Sequence, residues 1–155
     1  MSTVKNYLSL VKFSHTIFAM PFALIGFVLG IAALKNNNIH LQTNEVVIRF
    51  CLVLVCMITA RSAAMGFNRY LDRHFDQLNP RTAIREIPAG IIKAEKALGF
   101  VIANALIFII ATYFINPICF YLAPVALFVI LFYSYTKRFT YLCHLVLGIG
   151  LLVWM

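Results

Sequence analysis

Charged residues are scarce in this chain, making up 12% of its 155 residues, whereas hydrophobic residues make up 63%. Soluble globular domains carry about 25% charged and about 45–50% apolar residues. Together with a mean hydropathy of +0.91, this shortage of charge excludes a soluble globular domain. The sequence predicts an all-α, polytopic membrane protein, because segments this apolar must pair their backbone groups internally, as helices do.

The chain lacks the paired cysteine spacing of a zinc site or a redox motif, which argues against both functions. None of the four cysteines has a C-x-x-C spacing, and all of them lie in apolar stretches. We therefore predict that they are small buried apolar residues. They are Cys51, Cys56, Cys119 and Cys143.

Acidic residues are outnumbered, with five Asp and Glu against thirteen Lys and Arg, for a net charge of +8. In a membrane protein such an excess reflects topology and anionic lipid headgroups rather than nucleic-acid binding. The basic residues concentrate on one side of the predicted spans, at Lys5, Lys12, the segment 69–96, Lys137 and Arg138. This distribution predicts that the N-terminus and the segment 69–96 are cytoplasmic. We expect the membrane to be a bacterial inner membrane.

Five apolar runs follow a leader, residues 1–15, that is typical of a short interfacial helix. The runs cover about 16–34, 46–67, 97–115, 118–135 and 141–155. The last would be about 22 Å long as a helix, short of a hydrocarbon core of about 30 Å. We expect four complete transmembrane helices and a truncated fifth, in one domain over residues 1–155 that is the N-terminal portion of a longer protein. A natural short protein with a half-span is the alternative.

Three oxygen-bearing side chains follow the second run at steps of four residues: Asn68, Asp72 and Asp76. On a helix this spacing places them along one face. Mg²⁺ prefers oxygen ligands, one or two carboxylates and substrate phosphates. Arginines at 69, 73, 81 and 85 crowd around this stripe and would hold a phosphate beside the ion. The pattern predicts a Mg²⁺ and pyrophosphate site at a membrane surface, with a solvated helix end as the alternative.

Further candidates lie on either side of the stripe. Arg61 precedes Asn68 by two helical turns, and an arginine within a span usually faces a polar cavity. Its alternative role is a structural salt bridge. Arg81 and Arg85 are candidates to clamp phosphate oxygens, with headgroup contact or a topology signal as the alternative.

The end of the fourth run carries a second group of candidates. Tyr133 and Lys137 are four residues apart and share a helix face, and Arg138 follows directly. The lysine could reach the same phosphate, and the tyrosine would line an apolar pocket. An aromatic belt with a topology lysine is the alternative.

These residues carry a family resemblance. The run from Asn68 to Gly90, NRYLDRHFDQLNPRTAIREIPAG, resembles the first aspartate-rich motif, N-x-x-x-D-x-x-x-D, of the UbiA superfamily of intramembrane prenyltransferases. Its continuation, D-x-x-N-P-R-T-x-x-R-x-x-P-x-G, is similar to the 4-hydroxybenzoate polyprenyltransferase branch, including related enzymes of the futalosine route to menaquinone. Tyr133 to Lys137 resembles that family's Y-x-x-x-K motif.

The resemblance implies a nine-helix bundle with a second aspartate-rich motif that binds a second Mg²⁺. No such motif is present here, since the last acidic residue is Glu95. It also implies transfer of a polyprenyl group from its pyrophosphate to a 4-hydroxybenzoate-like acceptor, in ubiquinone or menaquinone biosynthesis. A naphthoate-type acceptor is the alternative. We expect these 155 residues alone to be inactive.

The roles expected of the residues follow from this activity. Asn68, Asp72 and Asp76 would hold Mg²⁺. The residues expected to stabilise the departing pyrophosphate are Arg69, Arg73 and Lys137, and those expected to bind substrate are Arg61, Arg81, Arg85, Tyr133 and Arg138. The expected partners are polyprenyl pyrophosphate, a small aromatic acceptor and the lipid bilayer, with no nucleic acid and no obligate protein partner.

A transport or structural membrane protein, with the stripe as an ion relay, is the competing class. It predicts acidic groups deep within the spans. Asp72 and Asp76 instead lie beyond the apolar run, and the deep charge is that of Arg61.

Overall fold

The computed structural model of the chain describes residues 3–12, 17, 20–36 and 42–136. These residues form five α-helices and contain no β-strand, as the composition predicts. The helices are α1 (Thr3–Leu10), α2 (Met20–Asn36), α3 (Thr43–Leu78), α4 (Ala94–Ile115) and α5 (Pro117–Thr136).

Three of these helices, α3, α4 and α5, are long and apolar enough to cross a bilayer. They contain the predicted runs 46–67, 97–115 and 118–135. The shorter apolar helix α2 has 17 residues, about 25 Å of helix, and covers most of the predicted run 16–34. The predicted fifth run, 141–155, lies outside the described residues.

Helix α3 is much longer than a membrane span. Its 36 residues extend about 54 Å, against a hydrocarbon core of about 30 Å. At its start, the backbone N–H of Gln42 donates a hydrogen bond to the carboxylate of Glu45 at 3.0 Å. The helix ends at Leu78 because Pro80 disfavours helical geometry at Asn79, whose backbone is extended. The polar end of α3 therefore projects beyond the bilayer.

Small side chains let α3 and α4 approach closely. The buried face of α3 includes Ala60, Ala63 and Gly66. A Cβ added at Gly66 would lie 2.9 Å from Cγ2 of Val101 on α4, closer than real side chains pack. This contact fixes the spacing of the two helices two residues before Asn68, where the oxygen-bearing stripe begins.

Helix α5 completes a three-helix core with α3 and α4. Its Ala123 and Leu127 pack with Cys56 and the fully buried Phe108. The prediction that the cysteines are buried holds for Cys56, holds only in part for Cys119, which is half-buried, and is wrong for Cys51, which is exposed on the outer surface of α3. Cys143 lies outside the described residues.

The N-terminal helix α1 packs on the loop between α3 and α4, which the sequence predicts to be cytoplasmic. Leu10 is fully buried, in a cluster with Ile87, Ile92 and Ala97. This cluster anchors the loop, residues 79–93, from one side.

Candidate functional site

The oxygen-bearing stripe lies on the part of α3 that projects beyond the apolar run. Because α3 is continuous to Leu78, Asn68, Asp72 and Asp76 share one face. Asn68 and Asp72 are half-buried, and Asp76 is buried with 8% of its surface exposed. Eight residues of helix span about 12 Å, so one small cation reaches two neighbouring donors of the stripe but not all three.

The third member of the stripe is paired with an arginine of the loop. Both carboxylate oxygens of Asp76 accept hydrogen bonds from Nη1 of Arg85, each at 2.8 Å. The side chains of Asp76 and Arg85 are 10% and 33% exposed, so water screens this ion pair only partly. In addition, the Thr82 hydroxyl donates to the Asp76 backbone carbonyl at 3.0 Å, which ties the start of the loop to the helix end.

A second ion pair lies beside the first. Nη1 of Arg69 donates to the carboxylate of Glu86 at 2.8 Å, and both side chains are almost fully enclosed. Arg69 also lies within electrostatic range of Asp76 and Arg85. The four residues form an alternating group of two positive and two negative side chains, which we call the charge cluster.

Tight turns bring Arg85 and Glu86 back over α3. The Asn79 carbonyl accepts from the N–H groups of Thr82 and Ala83, each at 2.9 Å, which reverses the chain after Pro80. Gly90 has a φ of +72°, a conformation that glycine adopts without strain. The turn signals of the sequence at Asn79-Pro80 and Pro88-Ala89-Gly90 therefore correspond to turns in the structure.

Arg73 and Arg81, two other arginines of the predicted site, lie outside the charge cluster. Nη1 of Arg73 donates to the Tyr70 carbonyl at 2.8 Å, and its guanidinium lies 4.4 Å from the centre of the Tyr70 ring. It is thus held against its own helix. Arg81 is exposed to solvent, and its backbone N–H donates to Oδ1 of Asn79 at 3.0 Å.

Arg61 lies within the apolar part of α3 and is half-buried. Its Nε atom is buried and has no hydrogen-bond partner among the described residues. A buried donor without a partner is costly, so this nitrogen is a candidate to bind a polar or anionic group.

The second predicted group is described only in part. Tyr133 lies half-buried near the end of α5. Lys137 and Arg138, predicted to approach the same phosphate, lie outside the described residues.

The donors of the stripe fit Mg²⁺ better than a transition metal. In the part of the chain described, no three acidic, histidine or cysteine side chains form a metal-binding group. Mg²⁺ requires no such group, because it keeps water molecules and substrate phosphates beside one or two carboxylates. Two neighbouring donors of the stripe, such as the amide of Asn68 and the carboxylate of Asp72, meet that requirement.

An apolar cavity of about 180 Å³ lies between α3, α4 and α5, lined in part by Cys56, Phe108 and Ala123. It is separated from Asp72 by about 24 Å along α3. It offers apolar space within the membrane rather than a polar site.

The sequence interpretation did not include Glu86 or Ser9. Glu86 accepts from Arg69 and also from the Ser9 hydroxyl of α1. One signal could have singled out Glu86, since it is the only acidic residue between Asp76 and Ala94 in the sequence.

Comparisons with known proteins agree with the family resemblance. The sequence model of the UbiA prenyltransferase family matches residues 19–155. A 4-hydroxybenzoate octaprenyltransferase of Tolumonas auensis is 36% identical over 104 residues, which are 65% of this chain and 36% of that protein. A protein of the same name from Vibrio cholerae is 34% identical over 90 residues, 58% of this chain and 32% of that protein.

The solved apo structure of a UbiA homologue from Aeropyrum pernix K1 has the same fold, with a TM-score of 0.69 and 31% sequence identity. The match covers 89% of this chain and 46% of that one, and the curated matches span about a third of their relatives' length. The family match, the helical fold and the apolar spans together show that this chain belongs to the UbiA prenyltransferase family of integral membrane proteins.

Proposed function

We propose that the protein formed by this chain transfers a polyprenyl group from its pyrophosphate to an aromatic acid of the 4-hydroxybenzoate type, in quinone biosynthesis. One observation carries the proposal: the charge cluster includes Asp76 of the acidic stripe and places two arginines beside it where α3 leaves the apolar core. The relatives named 4-hydroxybenzoate octaprenyltransferases support the same substrates. We place this end of α3 on the cytoplasmic side of a bacterial inner membrane, from the distribution of basic residues.

Of the predicted ligands Asn68, Asp72 and Asp76, we propose that the first two bind one Mg²⁺ directly and that Asp76, too far along the helix to share that ion, holds Arg85 beside it. When bound, the ion would neutralise the pyrophosphate and act as a Lewis acid on it. Arg69 and Arg85 each use Nη1 for a carboxylate, and a guanidinium has further donors to offer. These donors would stabilise the negative charge that grows on the pyrophosphate as the carbon–oxygen bond breaks. We further propose that Arg73 and Lys137 act on the same charge and that Arg81, Arg138 and Tyr133 bind substrate.

The allylic carbon left by the pyrophosphate is cation-like, and an electron-rich ring would attack it. Exclusion of water matters at this step, because water would quench the cation. The apolar faces of α3, α4 and α5 provide that shelter for the isoprenoid chain.

Arg61 is the residue that we propose for the carboxylate of the aromatic acid. Its buried Nε lacks a partner among the described residues, and a carboxylate would supply one. Because Arg61 precedes Asn68 by two turns, the acceptor would bind about 10 Å deeper in the membrane than the first metal ligand.

Calorimetry tests the pyrophosphate site directly. With the 155-residue chain in lipid nanodiscs, we expect pyrophosphate to bind only when Mg²⁺ is present. Asp72→Asn removes one charged ligand and should weaken binding about tenfold or more. Glu95→Gln is the matched control, since it neutralises an exposed acid in the first turn of α4 and should change nothing. Binding that is independent of Mg²⁺, or unaffected by Asp72→Asn, would refute the metal site.

Prenyl transfer requires a second assay. We expect no product from these 155 residues in proteoliposomes with labelled polyprenyl pyrophosphate and either 4-hydroxybenzoate or a dihydroxynaphthoate. The reason is that they carry one acidic stripe, so much of the pyrophosphate charge stays uncompensated. Clear product with either acceptor would show that prenyl transfer does not require a second aspartate-rich motif. The identity of the product would then reveal the acceptor class.

A further inference from the structure

Glu86 joins three separate parts of the chain. Its Oε2 atom accepts from Arg69 of α3 at 2.8 Å, and its Oε1 atom accepts from the Ser9 hydroxyl of α1. Its backbone carbonyl accepts from the N–H of Ile92 at 2.9 Å, within the loop 79–93. Each carboxylate oxygen therefore serves a different helix.

The pairing with Arg69 is more than a surface contact. The side chains of Arg69 and Glu86 are 7% and 12% exposed, so the guanidinium depends on this carboxylate for its position and its charge balance. A carboxylate bound to Nη1 fixes the plane of the guanidinium and leaves other donors pointing elsewhere.

Helix α1 in turn holds Glu86 in place. Leu10, one residue after Ser9, is fully buried against Ile87, one residue after Glu86. Tyr7 packs against Phe100 of α4, with ring centres 5.0 Å apart. A hydrogen bond from Ser9 and an apolar contact of Leu10 thus join α1 to two neighbouring residues of the loop.

We propose that Glu86 is a positioning residue, which couples the interfacial helix α1 to Arg69 and so orients that arginine toward the pyrophosphate. The inference rests on the proposed function, in which Arg69 contacts the pyrophosphate. It assigns α1 a part in substrate binding, although α1 itself need not touch the substrate.

The test combines two measurements on the 155-residue chain in nanodiscs. The first is calorimetric affinity for inorganic pyrophosphate with Mg²⁺. The second is amide hydrogen exchange of α1, which reports the tether whether or not substrate binds. The variants are Ser9→Ala, which removes one hydroxyl from an exposed position, Glu86→Asp, which is too short to reach both partners, and the two combined. Glu95→Gln serves as the control.

Ser9→Ala should speed exchange in α1 and weaken pyrophosphate binding about threefold to tenfold, the effect of one lost hydrogen bond. Glu86→Asp should do the same, and adding Ser9→Ala to it should produce no further loss, because the coupling is already broken. Glu95→Gln should shift neither measurement.

Three results would overturn the inference in distinguishable ways. If the unaltered chain binds Mg²⁺–pyrophosphate and the Ser9 and Glu86 variants bind it equally well, Glu86 is only structural and the proposed function stands. If the unaltered chain binds no pyrophosphate, the proposed site fails and this inference fails with it. Independent, additive losses from Ser9→Ala and Glu86→Asp would also refute the coupling.

Discussion

Replacement of Gly66 by alanine tests whether α3 and α4 are in close contact at this glycine. The new Cβ would lie 2.9 Å from Cγ2 of Val101 and 3.6 Å from Cδ1 of Phe100. Val101 is buried and β-branched, so its side chain has little freedom to turn aside. The two helices must therefore separate by several tenths of an ångström.

Two opposing effects decide the magnitude. Overpacking in a core costs about 1–3 kcal/mol. Alanine is favoured over glycine within a helix by about 1 kcal/mol. We expect Gly66→Ala to lower the free energy of unfolding by about 1 kcal/mol. The matched control is Gly99→Ala on α4, where a Cβ meets nothing within 4 Å, and it should raise that free energy by about 1 kcal/mol.

The assay is equilibrium unfolding in mixed micelles with increasing dodecyl sulfate, followed by circular dichroism. The difference of about 2 kcal/mol between the two variants isolates the contact with Val101. Val101→Ala combined with Gly66→Ala should recover about 1–2 kcal/mol of interaction energy in a double-mutant cycle. Equal stabilisation by Gly66→Ala and Gly99→Ala would refute the close contact.

Four other changes follow from burial and pairing. Phe108→Ala should lower the unfolding free energy by about 3–5 kcal/mol in the same assay, because the ring is fully buried, whereas Cys51→Ala on the outer surface should change it by less than about 0.5 kcal/mol. Leu10→Ala should lower the unfolding free energy by about 2–4 kcal/mol and speed hydrogen exchange in the loop 79–93, because Leu10 is fully buried; no change in either would show that α1 does not pack on the loop. Asp76→Asn should cost about 1–2 kcal/mol, since Arg85 loses its charged partner but remains one-third exposed; no loss would show that solvent replaces the pair.

The helices could largely be predicted from the sequence, because long apolar runs have few alternatives in a membrane. The extension of α3 through Asp76 was predictable too, since no proline interrupts it before Pro80. Which face of each helix meets lipid was not predictable. Lipid-facing and core-facing side chains are both apolar, so Cys51 and Cys56 look alike in the sequence although the first is exposed and the second buried.

Partners across the loop were harder to predict than helix positions. The four-residue steps specify which residues of α3 share a face, but not which loop residues return to them. Arg85 and Glu86 are adjacent in the sequence, yet one pairs with Asp76 and the other with Arg69. This division depends on how the turns after Asn79 aim the two side chains, and turn residues alone do not specify that direction.

In the proposed site, one acidic stripe would bind two kinds of cation, a metal ion and a guanidinium. The stripe is about 12 Å long, too long for one Mg²⁺ to contact every donor. An ion held by Asn68 and Asp72 leaves Asp76 at the far end, where its carboxylate already holds Arg85. In the proposed site, a pyrophosphate lying along the helix would meet the metal ion at one end and a guanidinium at the other. A mobile guanidinium would have to be ordered when substrate binds, whereas Asp76 has already positioned this one. In this proposed arrangement the aspartate nearest the loop would contribute chiefly by placing a cation, and Arg85 would offer the directional donors that a metal ion lacks.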